Sequence, residues 1–257
     1  MKYAIIGVEG PHDQAFTGKV LKLLGFKDFR EELKGLKSDL DPFWRKFIPV
    51  YPKKGNLYKR LDMPSILFND TISVAIYAGE GSNLVTNLND ILSANPDYQA
   101  NLAAFGILAD CDKSNPAQVV VKYSNCFREY FPNFPNQAGV VDDINIPRTG
   151  IYVLPDNASQ GVLDTLLCRC GQIAYPAYME KASSYLNEFS ESDRKSLKWK
   201  NFDLEKALVA TVVSVLKPGK TNTTSIADNN WVSEQTKQQV PALENFIKFL
   251  SQLLEVI

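Results

Sequence analysis

The residues of this chain best suited to chemistry are acids that follow apolar runs. Glu9 follows residues 3–8 (YAIIGV), Asp110 and Asp112 follow residues 103–109 (AAFGILA), and Asp156 follows residues 150–154 (GIYVL). Asp13 lies one helical turn beyond Glu9, and Asp164 lies eight residues beyond Asp156. Carboxylates brought together repel one another and lose hydration, so a converging set needs a compensating cation. Hard divalent ions such as Mg²⁺ take oxygen ligands of this kind. Two such ions can clamp the attacking and leaving oxygens of a phosphodiester. One carboxylate after one strand is commonly a helix cap. A set at successive strand ends is what points to a cation.

For these acids to meet, the apolar runs must be neighbouring parallel strands, because ligands of open α/β sheets bind beyond the carboxyl ends. The order strand, polar turn, helix occurs four times. Residues 3–8 precede a helix with Phe16, Val20, Leu21 and Leu24 at helical spacing, ended by Gly25. Residues 72–78 (ISVAIYA) run through Gly79-Glu80-Gly81 into a helix over 84–92. Residues 103–109 lead to a helix over 116–131, and residues 150–154 to a helix from Gly161. The runs are nearly continuous in apolar residues, as strands covered on both faces should be. Beyond Gly171 only helices are expected, over 175–189 and 204–216, then a polar loop over 217–230. Val240, Leu243, Phe246, Ile247, Leu250, Leu253, Leu254 and Ile257 share one face of a last helix, which packs on the core or on a partner. The expected fold is α/β: a Rossmann-like parallel sheet with flanking helices and a helical C-terminal extension.

Composition narrows the class. The 257 residues are 45% hydrophobic and carry a net charge of −1, which excludes a disordered chain and a nucleic-acid coat protein. No apolar run approaches the roughly 20 residues of a membrane span. The apolar start is too short for a signal peptide, so a soluble, cytoplasmic protein is expected. Cys111, Cys126, Cys168 and Cys170 are too few for a disulfide framework, and Cys168-x-Cys170 lacks zinc-knuckle spacing. Reduced, buried thiols are expected.

Charge is uneven. Residues 19–60 hold 12 Lys and Arg against 5 Asp and Glu, a balance of +7, leaving −8 on the rest. The segment also carries Phe26, Phe29, Phe43, Trp44, Phe47, Tyr51 and Tyr58. It either tracks a phosphate backbone and stacks bases, with Lys53, Lys54, Lys59 and Arg60 as nucleic-acid contacts, or is a solvated face and loop whose aromatics belong to the core. The second is the commoner outcome. His12 either touches a phosphate or tunes Glu9, or is an ordinary loop histidine. Gly79-Glu80-Gly81 either lets backbone approach a phosphate or is a plain turn.

Residues 8–16 (VEGPHDQAF) and 107–112 (ILADCD) resemble the motifs of the Toprim domain, the catalytic module of topoisomerases, DnaG-type primases and OLD-family nucleases. Glu9-Gly10-Pro11-His12-Asp13 resembles the OLD-like branch, and residues 150–167 resemble a group of stand-alone bacterial Toprim proteins. The likeness covers roughly residues 1–167. It implies a Toprim-like catalytic domain over 1–170, with a basic insertion at about 27–60, and a helical extension over 171–257 on the same core. It implies Mg²⁺-dependent (or Mn²⁺-dependent) nuclease chemistry on DNA. Glu9 would then be general acid/base or metal ligand, and Asp110 and Asp112 would bind the metal. Asp13, Asp164 and Asp156 would be further metal-binding acids. A C-terminal lysine, Lys206 or its equal rival Lys200, would stabilise transition-state charge.

The sequence also departs from that family. It has no Gly-x-x-x-x-Gly-Lys-Ser/Thr loop, no assignable nucleophilic tyrosine and no primase zinc domain. What remains is a nuclease acting with a separate ABC-type ATPase, as in phage defence or DNA repair. The alternative is a non-catalytic module that binds metal or docks a partner through its last helix. A response-regulator-like domain finds no convincing match.

Overall fold

The computed structural model describes residues 1–32, 41–47 and 64–256. The chain runs β1 (Lys2–Val8), α1 (Pro11–Leu23), β2 (Lys27–Asp28), α2 (Phe29–Glu32), a 3₁₀ turn (Pro42–Phe47), β3 (Ser65–Phe68) and β4 (Ile72–Ala78). It continues through α3 (Leu84–Ala94), α4 (Pro96–Asn101), β5 (Ala104–Asp110), α5 (Pro116–Phe127), β6 (Val141–Asp142) and β7 (Arg148–Leu154). The rest is helical: α6 (Leu163–Ala174), α7 (Pro176–Asn187), α8 (Glu191–Ser196), α9 (Asp203–Leu216), α10 (Asn222–Asp228), α11 (Glu234–Gln239) and α12 (Pro241–Leu254).

Among the described residues the strands form one sheet in the order β2-β3-β4-β1-β5-β7-β6. The four long strands, β4, β1, β5 and β7, are mutually parallel. Short antiparallel strands close both edges: β2 and β3 on one side, β6 on the other. The fold is thus α/β, Rossmann-like, with a mainly parallel sheet, flanking helices and a helical C-terminal part.

Alternation along the strands divides the apolar residues between two cores. Ala4, Ile6 and Val8 of β1 face one core and Ile5 the other; Leu108 and Tyr152 join the first, Phe105 and Ile151 the second. The first core is completed by α1, α6, α9 and α12, the second by α3, α4 and α5. Phe16 of α1 stacks on Phe246 of α12 with centroids 5.3 Å apart, and Tyr152 lies edge-on to the same ring at 5.0 Å. Leu243, Phe246, Leu250 and Leu253 are all essentially inaccessible. Each such side chain contributes about 1.5–3 kcal/mol on burial. The apolar face of the last helix therefore belongs to the core and is not available for docking a partner. Gly106 and Gly150 make this packing possible. A Cβ there would stand 2.5 Å from Leu253 Cδ2 and 2.8 Å from Phe249 Cε2.

The aromatics of the basic segment fall to the core reading wherever they are described. Phe26, Phe29 and Trp44 are buried, Trp44 Nε1 donates to Ser73 Oγ at 2.8 Å, and Phe43 stacks on Tyr3. Lys53, Lys54, Lys59 and Arg60 lie outside the described residues, as do Tyr51 and Tyr58. The expected loop over 217–230 contains α10, whose N-cap Thr221 accepts from the Thr224 amide. Among the described residues no helix is long and apolar enough to cross a membrane.

Candidate active site

The site forms where the carboxyl ends of β1 and β5 lie side by side. Val8 pairs with Leu108 in the parallel ladder, so Glu9 and Asp110 emerge as neighbours. The Asp110 amide donates to Glu9 Oε1 at 3.2 Å, and the Tyr123 hydroxyl of α5 donates to the same oxygen at 3.3 Å. Two helix starts meet these strand ends. Pro11 opens α1, and Asp13 in its first turn accepts the Gly10 amide at 2.8 Å. Asp110 Oδ1 accepts the amide of Leu163, the first residue of α6, at 2.9 Å. A carboxylate on β5 thus caps a helix distant in sequence, which suits the positive end of its dipole. Asp112 takes a positive φ of 51° and exchanges backbone hydrogen bonds with Gly161, tying the end of β5 to the approach of α6.

The electrostatics follow from burial without a cation. Asp13 and Asp164 are each 7% exposed. Burial first, then the charge of Glu9, pushes the Asp13 carboxyl up to about 7; Asp164 adds to the rise and the Gly10 amide opposes it. Burial raises Asp110 well above the usual carboxylate range, with Asp13 and Glu9 adding repulsion. Burial also raises Glu9, opposed by the Asp110 amide, the Tyr123 hydroxyl and Lys122. Asp164 is raised by burial and drawn back by the charges of His12 and then Lys206. His12 therefore acts on Asp164. Among the described residues no Lys or Arg forms an ion pair with Glu9, Asp13, Asp110 or Asp164.

The expected residues divide. Glu9, Asp13, Asp110 and Asp164 act on one another, with Asp112 beside them. Asp156 does not join them. Its carboxylate accepts Arg169 Nη1 at 2.8 Å and the amides of Ser159 and Ala158 at 2.7 and 3.2 Å. Burial pushes this carboxyl up, but those donors outweigh it and hold the group below its ordinary value. Asp156 is a turn-former with its own cation, and both its oxygens are occupied. Of the rival lysines, Lys206 on α9 is the one whose charge reaches Asp164. Lys200 precedes α9, and its amide closes a turn onto Asp203 Oδ2 at 2.7 Å.

The donor set suits a hard divalent ion: every strand-end donor is a carboxylate oxygen. Among the described residues no three His, Cys, Asp or Glu side chains already converge as a finished ligand set. Glu9, Asp110 and Asp13 each accept protein donors. Glu9 Oε2 and Asp110 Oδ2 accept nothing among the described residues. The cysteines are free thiols. Burial pushes Cys168 and Cys170 up to about 12, the reverse of what a metal-binding thiolate needs.

Two residues escaped sequence reasoning: Tyr123 and Lys122, adjacent on α5. Tyr123 is 3% exposed, with its hydroxyl on Glu9. The Gly79-Glu80-Gly81 turn also sits here, the Gly81 amide donating to the Glu9 carbonyl at 2.7 Å. A tyrosine on a helix following an Asp-x-Asp strand was the available signal.

Residues 3–255 match the family described as a protein of unknown function, DUF3226. The chain belongs to this family. No curated protein matches the DUF3226 chain. Among solved structures, the hypothetical protein PH0156 from Pyrococcus horikoshii OT3 is similar over 99% of this chain and 97% of that one, at 18% identity and a TM-score of 0.51. That likeness concerns the fold alone.

Proposed function

We propose that this DUF3226 protein is a divalent-metal-dependent phosphodiesterase acting on nucleic acid, a nuclease of the Toprim type. One observation carries the reading: Glu9, Asp13 and Asp110, at the strand ends of β1 and β5 and the start of α1, repel one another, Asp164 at the start of α6 repels Asp13, and none of the four has an ion-paired cation among the described residues. The resemblance of residues 8–16 and 107–112 to Toprim motifs supports it. Glu9, Asp110 and Asp112, with Asp13 and Asp164 behind them, would hold Mg²⁺ or Mn²⁺. When bound, the ion supplies Lewis acidity toward phosphoryl oxygens.

The chain's own residues supply the rest. Hydrolysis forms one P–O bond from water oxygen, breaks one ester P–O bond, and moves a proton from water to the leaving oxygen. As the alternative to ligating the ion, Glu9 would carry that proton: burial raises its affinity for one, and the Tyr123 hydroxyl holds one of its oxygens. Lys206, whose charge lowers Asp164 and whose Nζ lies 3.7 Å from Asp203 Oδ1, would be the cation that meets charge developing on the phosphoryl group. A net charge of −1 predicts weak binding of DNA by the chain alone, so delivery by a separate ABC-type ATPase fits.

The test is cleavage of labelled single- and double-stranded DNA and RNA in Mg²⁺ and Mn²⁺, by the wild type and Asp110→Asn. Metal-dependent cleavage lost in the variant is expected. Cleavage undiminished by Asp110→Asn contradicts the assignment, and no cleavage under any metal, with or without an ATPase, leaves the non-catalytic module.

A further inference from the structure

We infer that Lys122 on α5 receives a substrate phosphate in a cleft that it lines together with Glu9, Asp110 and Asp112. This rests on the phosphodiester reading and names where the chain flanking the cleaved bond lies. The cleft has a volume of about 250 Å³. Glu9, Asp110, Asp112, Ser82, Gln118 and Lys122 line it. Asp13 and Asp164 take no part in its lining.

Lys122 is exposed and makes no ion pair among the described residues. Its Nζ stands 5.5 Å from the centroid of the Tyr123 ring. Glu9, which the Lys122 charge reaches, is already engaged by the Tyr123 hydroxyl and the Asp110 amide. Gln118 accepts the Asn115 amide through Oε1 at 3.3 Å, which leaves its NH₂ group as a donor on the cleft. Ser82 presents a hydroxyl on the same volume. An ammonium, an amide and a hydroxyl in one cleft with three carboxylates suit a ligand with an oxyanion for the donors and a cation-bridged phosphate for the carboxylates. A phosphodiester chain has that form.

The charge balance sets a condition. Three carboxylates against one ammonium repel a phosphate unless a divalent ion is present. Lys122 should therefore matter to oligonucleotide binding only with the metal bound. The test measures binding of a labelled single-stranded DNA oligonucleotide and its RNA counterpart, in Ca²⁺ and in EDTA, by the wild type, Lys122→Gln and Lys122→Arg. Mn²⁺ affinity is measured in parallel by calorimetry. Binding by the wild type in Ca²⁺, weakened about tenfold in Lys122→Gln and restored in Lys122→Arg, is expected. Mn²⁺ affinity should change far less than oligonucleotide binding, and in turnover Lys122→Gln should raise KM by a larger factor than it lowers kcat. Wild-type binding in Ca²⁺ that Lys122→Gln leaves intact overturns the inference while sparing the phosphodiester reading. A wild type that binds neither Mn²⁺ nor oligonucleotide overturns both.

Discussion

Asp156 and Asp110 are the same residue type at the same kind of place, the carboxyl end of a parallel strand, yet they behave in opposite ways. Asp156 has Arg169 at 2.8 Å and two turn amides, and it is held below the ordinary carboxylate range. Asp110 has one helix-start amide and three acidic neighbours, Asp13, Glu9 and Asp112, and it is held well above that range. The first is a carboxylate whose charge the fold completes. The second is one whose charge the fold leaves for something else to complete. Position at a strand end therefore does not identify a ligand; what decides is whether the protein supplies the cation.

The largest effect that would break this comparison is on activity. Asp110→Asn should remove cleavage to background while the protein stays folded, since Asn Oδ1 still accepts the Leu163 amide. Circular dichroism and the cleavage assay together check this. Next is pH. Glu9, Asp13, Asp110 and Asp164 bind protons more tightly folded than unfolded. Their contribution to stability is fully present below about pH 4, the unfolded carboxylate value, and is lost as pH rises through the folded values, about 7 for Asp13. Denaturant unfolding in EDTA should show a loss on the order of a few kcal/mol between pH 5 and pH 8, flattened by Mn²⁺. The Asp156 contribution has the other sign: present above the ordinary Asp value and lost as pH falls through the depressed one.

Lys206→Ala should lower kcat by about a hundredfold, and Lys200→Ala should leave it near wild type. Equal losses would return the two to rivalry. The smallest effect belongs to the satisfied acid. Arg169→Ala should cost about 1 kcal/mol in stability and leave Mn²⁺ affinity unchanged. A weakened metal affinity in that variant would bring Asp156 back into the site.

Much of this arrangement was legible in the chain. The four long strands are near-continuous apolar runs, and ISVAIYA was located at its observed bounds. Strands β2 and β6 have two residues each, too short to leave a period, and their existence depends on β3 and β7 beside them. Helix α10 lies in a polar stretch and is held by its Thr221 cap and by packing on α1 and α9. Glu9, Asp13, Asp110 and Asp164 were legible because strand ends and first turns fix where such residues go. The exclusion of Asp156 was not, because Arg169 reaches it only once α6 folds back. The choice of Lys206 over Lys200 likewise depends on how α9 packs against α6. Tyr123 and Lys122 lie within the helix expected over 116–131, and only the folded chain brings the Tyr123 hydroxyl onto Glu9.

The most direct measurement is a Mn²⁺ titration by calorimetry of the wild type beside the Asp110→Asn/Asp112→Asn variant, Mn²⁺ being chosen as a divalent ion that carboxylate sites accept. Specific binding by the wild type, lost in the variant, is the predicted result. No binding by either protein would leave the four acids without the cation this account requires, and would contradict it.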